Sequence, residues 1–321
     1  MSAQDENSRN FLVTGGAGFI GLAFIHQLIR DFPNSQITVL DKLTYASQIS
    51  ELKKLTSSNQ IKFVKGDICD FQTVIESVKE IDTVINFAAE SHVDRSIQNS
   101  LPFVETNSLG VQVLLESALA SGVKTFLQVS TDEVYGSINL GSWNEQSQLK
   151  PNSPYAASKA SGDLLALAFS HTHGLDVRVT RSSNNYGQGQ NVEKLIPKII
   201  YRILRGEPIQ IYGDGRNIRE WIHVEDNCKA ITTVLKYGSK GEIYNIGSGI
   251  EKTNNEIAGL LIDISESTIK PTIEFIEDRK GHDYRYSVDF SKIMKLGFKP
   301  EIELESGLEK TFNWYKAFFS A

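Results

Sequence analysis

The chain has 321 residues, 40% of them apolar and 22% charged, which suits a globular protein with room for two lobes rather than one core. Its net charge of −6 excludes general binding to a nucleic-acid backbone, which needs a concentrated basic surface, and still allows a local basic pocket for a phosphorylated ligand. No run approaches the roughly 20 apolar residues of a membrane span, and the two cysteines, Cys69 and Cys228, lack the spacing of a disulfide scaffold or a zinc site, which points to a reducing, cytoplasmic compartment.

Residues 1–9 are polar, lack the apolar stretch of a signal peptide, and read as a frayed tail. The run Phe11-Leu12-Val13 predicts a short buried strand. Thr14-Gly15-Gly16-Ala17-Gly18-Phe19-Ile20-Gly21 follows and opens a helical pattern of apolar residues to Ile29, with Pro33 beyond its end. Gly15, Gly18 and Gly21 stand at G-x-x-G-x-x-G spacing. In such a turn the first glycine allows the tight reversal, the second lets backbone approach a pyrophosphate, and the third lets helix pack on strand. The helix N-terminus, opened by Phe19 and Ile20, then faces the phosphates. The glycines alone would equally suit a structural loop. The next strand, residues 36–40, ends in Asp41, 20 residues past Gly21. An acid there can hydrogen-bond an adenosine ribose and repel a 2′-phosphate, so the combination predicts NAD in preference to NADP, with Lys42 weighing slightly the other way.

A strand at 61–64 ends near Asp67-Ile68, positions suited to the adenine. A helix at 71–78 and a strand at 83–87 follow, the strand closed by Ala88-Ala89. Such small residues let a flat cofactor lie against the backbone, although plain packing would use them too. Next come a helix at 109–120, a strand at 123–129 and a sixth strand at 175–180. Strands separated by helices predict βαβ units and a Rossmann-type doubly wound parallel sheet in an α/β fold. Residues 182–191 are too rich in turn formers to be an element, and a smaller C-terminal α/β substrate-binding lobe begins there. It is expected to hold a helix at 193–204, a strand at 209–212, a turn at 213–216, the segment 218–223, a helix at 224–235 and a strand at 242–246. A helix at 254–261, a strand at 272–276, a loop at 278–283 and a last helix at 304–318 complete it. Residues 1–182 read as the NAD-binding domain, with about 222–248 returning to it, and 183–321 as mainly the substrate lobe.

Chemistry concentrates in two stretches, Ser130-Thr131-Asp132-Glu133-Val134-Tyr135-Gly136 and Tyr155-Ala156-Ala157-Ser158-Lys159. The first follows a buried strand, where an open α/β sheet places its ligand. In the second, Tyr155 and Lys159 are four apart on one helix face. A tyrosine phenol is a poor base at neutral pH. A nearby ammonium and an oxidised nicotinamide favour the phenolate, which lets the tyrosine take a proton from a sugar hydroxyl as hydride leaves the same carbon. Lys159 can also hold the nicotinamide ribose, and Thr131 can hydrogen-bond the reacting oxygen. His26, His171, His173 and His223 show no metal-ligand pattern.

From Phe11 to about Leu296 the chain resembles the extended short-chain dehydrogenase/reductases, and among them the nucleotide-sugar 4,6-dehydratases that act on dTDP-glucose. The resemblance rests on residues 14–21, 40–46, 88–96, 130–136, 155–159, 183–187, 193–197, 213–226 and 278–283. It implies NAD, held by the glycine turn with Asp41, Lys42, Thr44, Asp67, Ile68, Ala88, Ala89, Tyr155, Lys159 and Asn184. It implies a three-part cycle: oxidation at C4 through Tyr155, removal of the C5 hydrogen by Glu133 with Asp132 as the acid that protonates the departing C6 hydroxyl, and return of hydride to C6. One carboxylate of the pair must be ionised and the other protonated. It places Ser91 and His92 near the glucose and Asn185, Lys194 and Arg219 on the diphosphate. Leu195 adjoins them, Pro208 and Tyr212 border the base, and His282 lies at the nucleoside ribose. The loop 188–192 departs from the family pattern beside the nucleotide pocket, which leaves uridine as a second choice to thymidine.

Two other readings differ at Asp132 and Glu133. A nucleotide-sugar epimerase would need neither acid, and an NAD-binding sensor or scaffold would need none of the catalytic group. The apolar faces of the helices at 109–120 and 156–169 predict a homodimer through a four-helix bundle.

Overall fold

A computed structural model describes residues 9–266 and 271–320; apart from Arg9, the expected frayed tail lies outside the described residues. The first half alternates as its apolar periodicity requires: β1 (Asn10–Thr14), α1 (Phe19–Asp31), β2 (Gln36–Asp41), α2 (Ile49–Ser57), β3 (Lys62–Lys65), α3 (Phe71–Ser77) and β4 (Thr83–Asn86). Then come α4 (Val93–Gln98), α5 (Leu101–Val104), α6 (Gly110–Ala120), β5 (Thr125–Thr131), α7 (Pro154–His173) and β6 (Asp176–Ser182). The second half holds β7 (Asn184–Tyr186), α8 (Leu195–Arg205), β8 (Ile209–Tyr212), β9 (Ile218–His223), α9 (Val224–Tyr237) and β10 (Glu242–Ile246). It ends with β11 (Glu251–Thr253), α10 (Asn254–Ile264), β12 (Ile273–Ile276), α11 (Ser291–Met294) and α12 (Leu304–Ser320).

Seven parallel strands form the central sheet in the order β10-β6-β5-β4-β1-β2-β3. The strand order reverses between β1 and β4, and this switch point opens a crevice above the strands' C-terminal ends. Every residue of β5 is buried, as helices on both faces of a parallel sheet require. One face packs Phe24, Ile25 and Leu28 of α1 with Ile231 and Val234 of α9. The other packs Val74 of α3, Leu114 and Leu115 of α6 and Ala166 of α7. A third core, from α8, α10 and α12 around Tyr186 and Trp221, organises the smaller lobe.

β10 pairs in parallel with β6, and α9 packs in the first core. Ile293 and Phe298 join that core as well, an approach that periodicity did not disclose. One expectation fails. Within 182–191, read as structureless, Asn184, Asn185 and Tyr186 form β7 and pair with Trp221, Ile222 and His223 of β9. The weak local propensity is overridden by that partner and by burial of Tyr186. α2 was not predicted, nor were the short elements α4, α5, α11 and β11, which are too brief for a period to register. Among the described residues no helix is long and apolar enough to cross a membrane.

Candidate active site

A cavity of about 320 Å³ opens over the switch point. Its floor is the turn after β1. Gly15 has φ +67°, and a Cβ there would stand 2.5 Å from the Ala88 backbone nitrogen, so the turn and the end of β4 meet backbone to backbone. A Cβ on Gly21 would meet the Gly15 carbonyl at 2.4 Å. No side chain caps α1, whose first N–H groups at Phe19, Ile20 and Gly21 stay available to an anion. Asp41 accepts from the Ala17 N–H at 3.0 Å and the Leu43 N–H at 2.8 Å, which ties the glycine turn to the end of β2. Lys42 lies 3.6 Å from Asp67 and 3.8 Å from Glu90. Thr44, Ile68, Ala88 and Ala89 complete this half of the wall.

Thr131 ends β5 and caps a 3₁₀ turn, Asp132–Tyr135, by accepting from the Glu133 N–H at 3.3 Å. Its hydroxyl donates to Asp132 at 3.2 Å. Opposite, α7 begins at Pro154 with its Ser153 cap accepting from the Ala156 N–H, so Tyr155 and Lys159 fall on its inward face. Both are buried yet line the cavity. Lys159 donates to the Val129 carbonyl at 2.7 Å. Burial, opposed by Asp163, pushes this ammonium down to about 8. Burial and then Glu133 raise the Tyr155 phenol, and a hydrogen bond with Thr131 draws it back. The expected help from Lys159 is not among the leading influences on the phenol.

The two acids differ in surroundings. Asp132 is 3% exposed. Burial, then Glu133 and Glu220, hold its carboxyl well above the usual carboxylate range, and its Oδ2 has no hydrogen-bond partner. Burial also raises Glu133, but Arg279, Arg219 and Lys194 all pull it back. Both carboxyls are raised, but Arg219 is the one cation among the leading influences opposing the rise of Asp132, against three for Glu133, an asymmetry that paired acid and base catalysis can use. Sequence reasoning missed Arg279 and Glu220. Glu220 accepts backbone N–H bonds from Ser248 at 2.8 Å, Gly249 at 2.9 Å and Val288 at 3.1 Å. Both missed residues stood inside the motif runs 278–283 and 213–226, and their charge in a polar loop or inward strand was the available signal. Asn107 was missed too. It sits in a π-helical turn, Glu105–Leu109, and clamps the Glu90 backbone through two hydrogen bonds of 2.9 Å.

Of the expected substrate residues, Ser91, Thr131, Asn185 and Lys194 line the same cavity, as does Asn184, expected at the nicotinamide. Lys194 donates to the Ser91 carbonyl at 2.8 Å. His92, Leu195, Pro208, Tyr212, Arg219 and His282 are not brought to that wall. His92 faces Glu193 at 3.4 Å. Arg219 gives its guanidinium to the carbonyls of Ile218, Tyr284 and Asp283. Tyr212 donates to Asp94 at 3.2 Å, and its ring lies 6.4 Å from that of His282. Asp94 in turn is 3.6 Å from Arg279, which makes a second cluster against α4. Leu195 opens α8 and packs in the third core, and Pro208 precedes β8. At the mouth Arg95 bridges the lobes, 2.5 Å from Glu193 and stacked 3.9 Å over Tyr45.

The residues present fit a dinucleotide beside a polar ligand. The glycine turn, free helix N–H groups and paired alanines suit the first. Among the described residues the buried Oδ1 atoms of Asn184 and Asn185 and the Ser183 hydroxyl have no partner; Asn184 suits the nicotinamide end of the first, Asn185 and Ser183 the second.

Against known proteins, residues 12–311 match the family model described as GDP-mannose 4,6 dehydratase. The chain is 50% identical over 312 residues to a dTDP-glucose 4,6-dehydratase of Actinoplanes sp., covering 95% of this chain and 97% of that protein. A dTDP-glucose 4,6-dehydratase from Streptomyces venezuelae, solved with NAD and TDP bound, is similar with a TM-score of 0.93 and 48% identity, over 96% of this chain and 97% of that one. A UDP-glucose 4-epimerase from Thermotoga maritima, solved with UDP-glucose, has a TM-score of 0.89 at 30% identity, over 97% of this chain and 99% of that one. One backbone therefore carries both chemistries, and the side chains set on it decide between them.

Proposed function

We propose the reaction of this site from one premise: the chain belongs to the nucleotide-sugar 4,6-dehydratase family, among its dTDP-glucose 4,6-dehydratases. It is an NAD-dependent hydro-lyase that converts dTDP-glucose to dTDP-4-keto-6-deoxyglucose and water, a step in deoxysugar biosynthesis. The observation that carries the reading is the unequal pair Asp132 and Glu133, which epimerisation would not need. NAD, which the glycine turn, Asp41, Ala88 and Ala89 would hold, would supply the hydride acceptor for the oxidation at C4 and the donor for the reduction at C6.

Tyr155 takes the proton of the C4 hydroxyl, with Thr131 hydrogen-bonded to that oxygen and the Lys159 ammonium assigned to the nicotinamide ribose. The new carbonyl acidifies the C5 hydrogen. Glu133, drawn toward ionisation by three cations, removes it. Hydroxide is a poor leaving group, so Asp132, whose carboxyl is held well above the usual range, delivers a proton to the C6 oxygen. As hydride arrives at C6, the proton held by Glu133 returns to C5, and the one taken up by Tyr155 replaces the one Asp132 gave. Asn184 is assigned to the nicotinamide side and Ser91 and His92 to the glucose. Asn185, Lys194, Arg219 and the newly found Arg279 are assigned to the diphosphate, where guanidinium forks suit paired oxygens. Tyr212 and Pro208 border the base, and His282 the ribose. Lys42 supports NAD over NADP, since Asp67 and Glu90 already engage it.

Residues up to 182, with about 222–248, form the cofactor lobe of this reading, and the remainder holds the nucleotide sugar. Free Cys69 and Cys228 support a reducing, cytoplasmic setting. Exposed Leu101, Val104, Leu109, Leu119 and Leu164 near α5, α6 and α7 support a homodimer through those helices. Light scattering at micromolar concentration should give twice the chain mass; a monodisperse monomer rejects the dimer.

The activity is tested by incubating the purified protein with dTDP-glucose, and separately with UDP-glucose, without added reductant. A 4-keto-6-deoxy sugar should accumulate from the thymidine nucleotide with no net NADH. Deuterium placed at C4 should reappear at C6. A C4 epimer as product, or label that stays at C4, defeats the dehydratase reading. Faster turnover of UDP-glucose reassigns the base.

A further inference from the structure

Behind the catalytic face of α7 lies an ion pair that the reaction above does not use. Asp163 is one helical turn beyond Lys159, as Lys159 is beyond Tyr155. It is wholly buried, and its Oδ2 lies 3.0 Å from the Arg181 Nε, itself 2% exposed on β6. Among the described residues the other oxygen, Oδ1, makes no hydrogen bond of normal geometry, with the Ser130 hydroxyl its nearby polar neighbour. The Arg181 guanidinium also sits 4.8 Å over the ring of Tyr135, whose hydroxyl donates to Asn245 at 2.8 Å. Tyr135 closes the turn that carries Asp132 and Glu133, so one guanidinium braces both catalytic segments. A buried pair of this kind is seldom more stabilising than an apolar replacement of equal volume, which directs attention to what it does for its neighbours.

We infer that Asp163, gripped by Arg181, is a positioning residue for hydride transfer: its carboxylate keeps the buried Lys159 ammonium charged and aimed at the cavity. The groups that face Asp163 are Lys159 on its own helix, Arg181 on β6 and the Ser130 hydroxyl on β5; the charge of Asp163 also reaches Tyr155. For Lys159 the two opposing influences are burial, which discharges it, and Asp163, which does the reverse. Without the carboxylate, the lysine would lose its proton at lower pH, and with it the charged donor assigned to the nicotinamide ribose, on which hydride transfer depends.

This inference rests on the dehydratase reading, and its test separates the two. Asp163→Asn keeps the side-chain shape and removes the charge. Single-turnover reduction of bound NAD by dTDP-glucose should run at close to the wild-type rate at about pH 6. Its alkaline limb should then fall about one pH unit earlier than in the wild type. A titration of the Lys159 signal by NMR of carbon-labelled lysine in the holoenzyme should show the same shift without any turnover. Should the variant fold poorly, Arg181→Gln serves instead: Asp163 then takes up a proton and the limb moves the same way, whereas Arg181→Lys leaves it in place. An unmoved limb and NMR midpoint, or a rate loss equal at every pH, overturns the role. Failure of the wild type to reduce NAD counts against the dehydratase reading, and the NMR arm still decides on Asp163.

Discussion

Glu133→Gln should leave the protein able to oxidise the sugar and unable to dehydrate it. Mixing the variant with dTDP-glucose should raise the absorbance of bound NADH and hold it there, while turnover to the 4-keto-6-deoxy product falls by about 10²- to 10⁴-fold. The physical reason lies in the division of charge. Glu133 is the group that Arg279, Arg219 and Lys194 draw toward ionisation, and an amide cannot take the C5 proton. The same carboxylate is the second cause, after burial, of the raised Tyr155 phenol and of the raised Asp132 carboxyl. Its neutralisation therefore eases deprotonation of Tyr155, so the first hydride transfer should not slow. Product forming at the wild-type rate would remove Glu133 from the elimination. Loss of NAD reduction would instead place Glu133 in the oxidation step.

Gly15→Ala should nearly abolish cofactor binding. The left-handed φ of +67° costs a non-glycine residue about 1–2 kcal/mol. The added methyl would meet Ala88 backbone atoms at 2.5 and 2.7 Å, and no rotamer change can relieve a backbone clash. Relief requires the turn after β1 to part from the end of β4, which spoils both the phosphate-facing helix end and the Ala88-Ala89 platform. NAD affinity measured by calorimetry should weaken about 100-fold or more, about 2.7 kcal/mol, with a lowered Tm. Unchanged affinity would mean that the dinucleotide does not lie along this turn.

The cofactor half of the site was legible because its signals are local. Gly15, Gly18 and Gly21 lie within one turn and the start of one helix, and Asp41 ends the next strand. Tyr155 and Lys159 share a helix face by spacing alone. The substrate half was less legible. The cations around Glu133 come from the start of α8, from β9 and from the loop at 278–283, and no periodicity links such distant positions. The polar run containing β7 misled for the same reason, since its strand exists only because β9 lies beside it.

The order of apolar runs, glycines and turn formers was enough to determine a parallel α/β sheet, a dinucleotide turn and the residue types at the reacting centre. These depend on backbone conformation and on neighbours within a few positions. Tertiary structure alone decided how differently the adjacent acids Asp132 and Glu133 are surrounded, where the Lys159 ammonium is anchored, and that Arg181 stands behind both the turn after β5 and α7. Burial and electrostatic influence are sums over every group nearby in space, and most of those groups are remote along the chain.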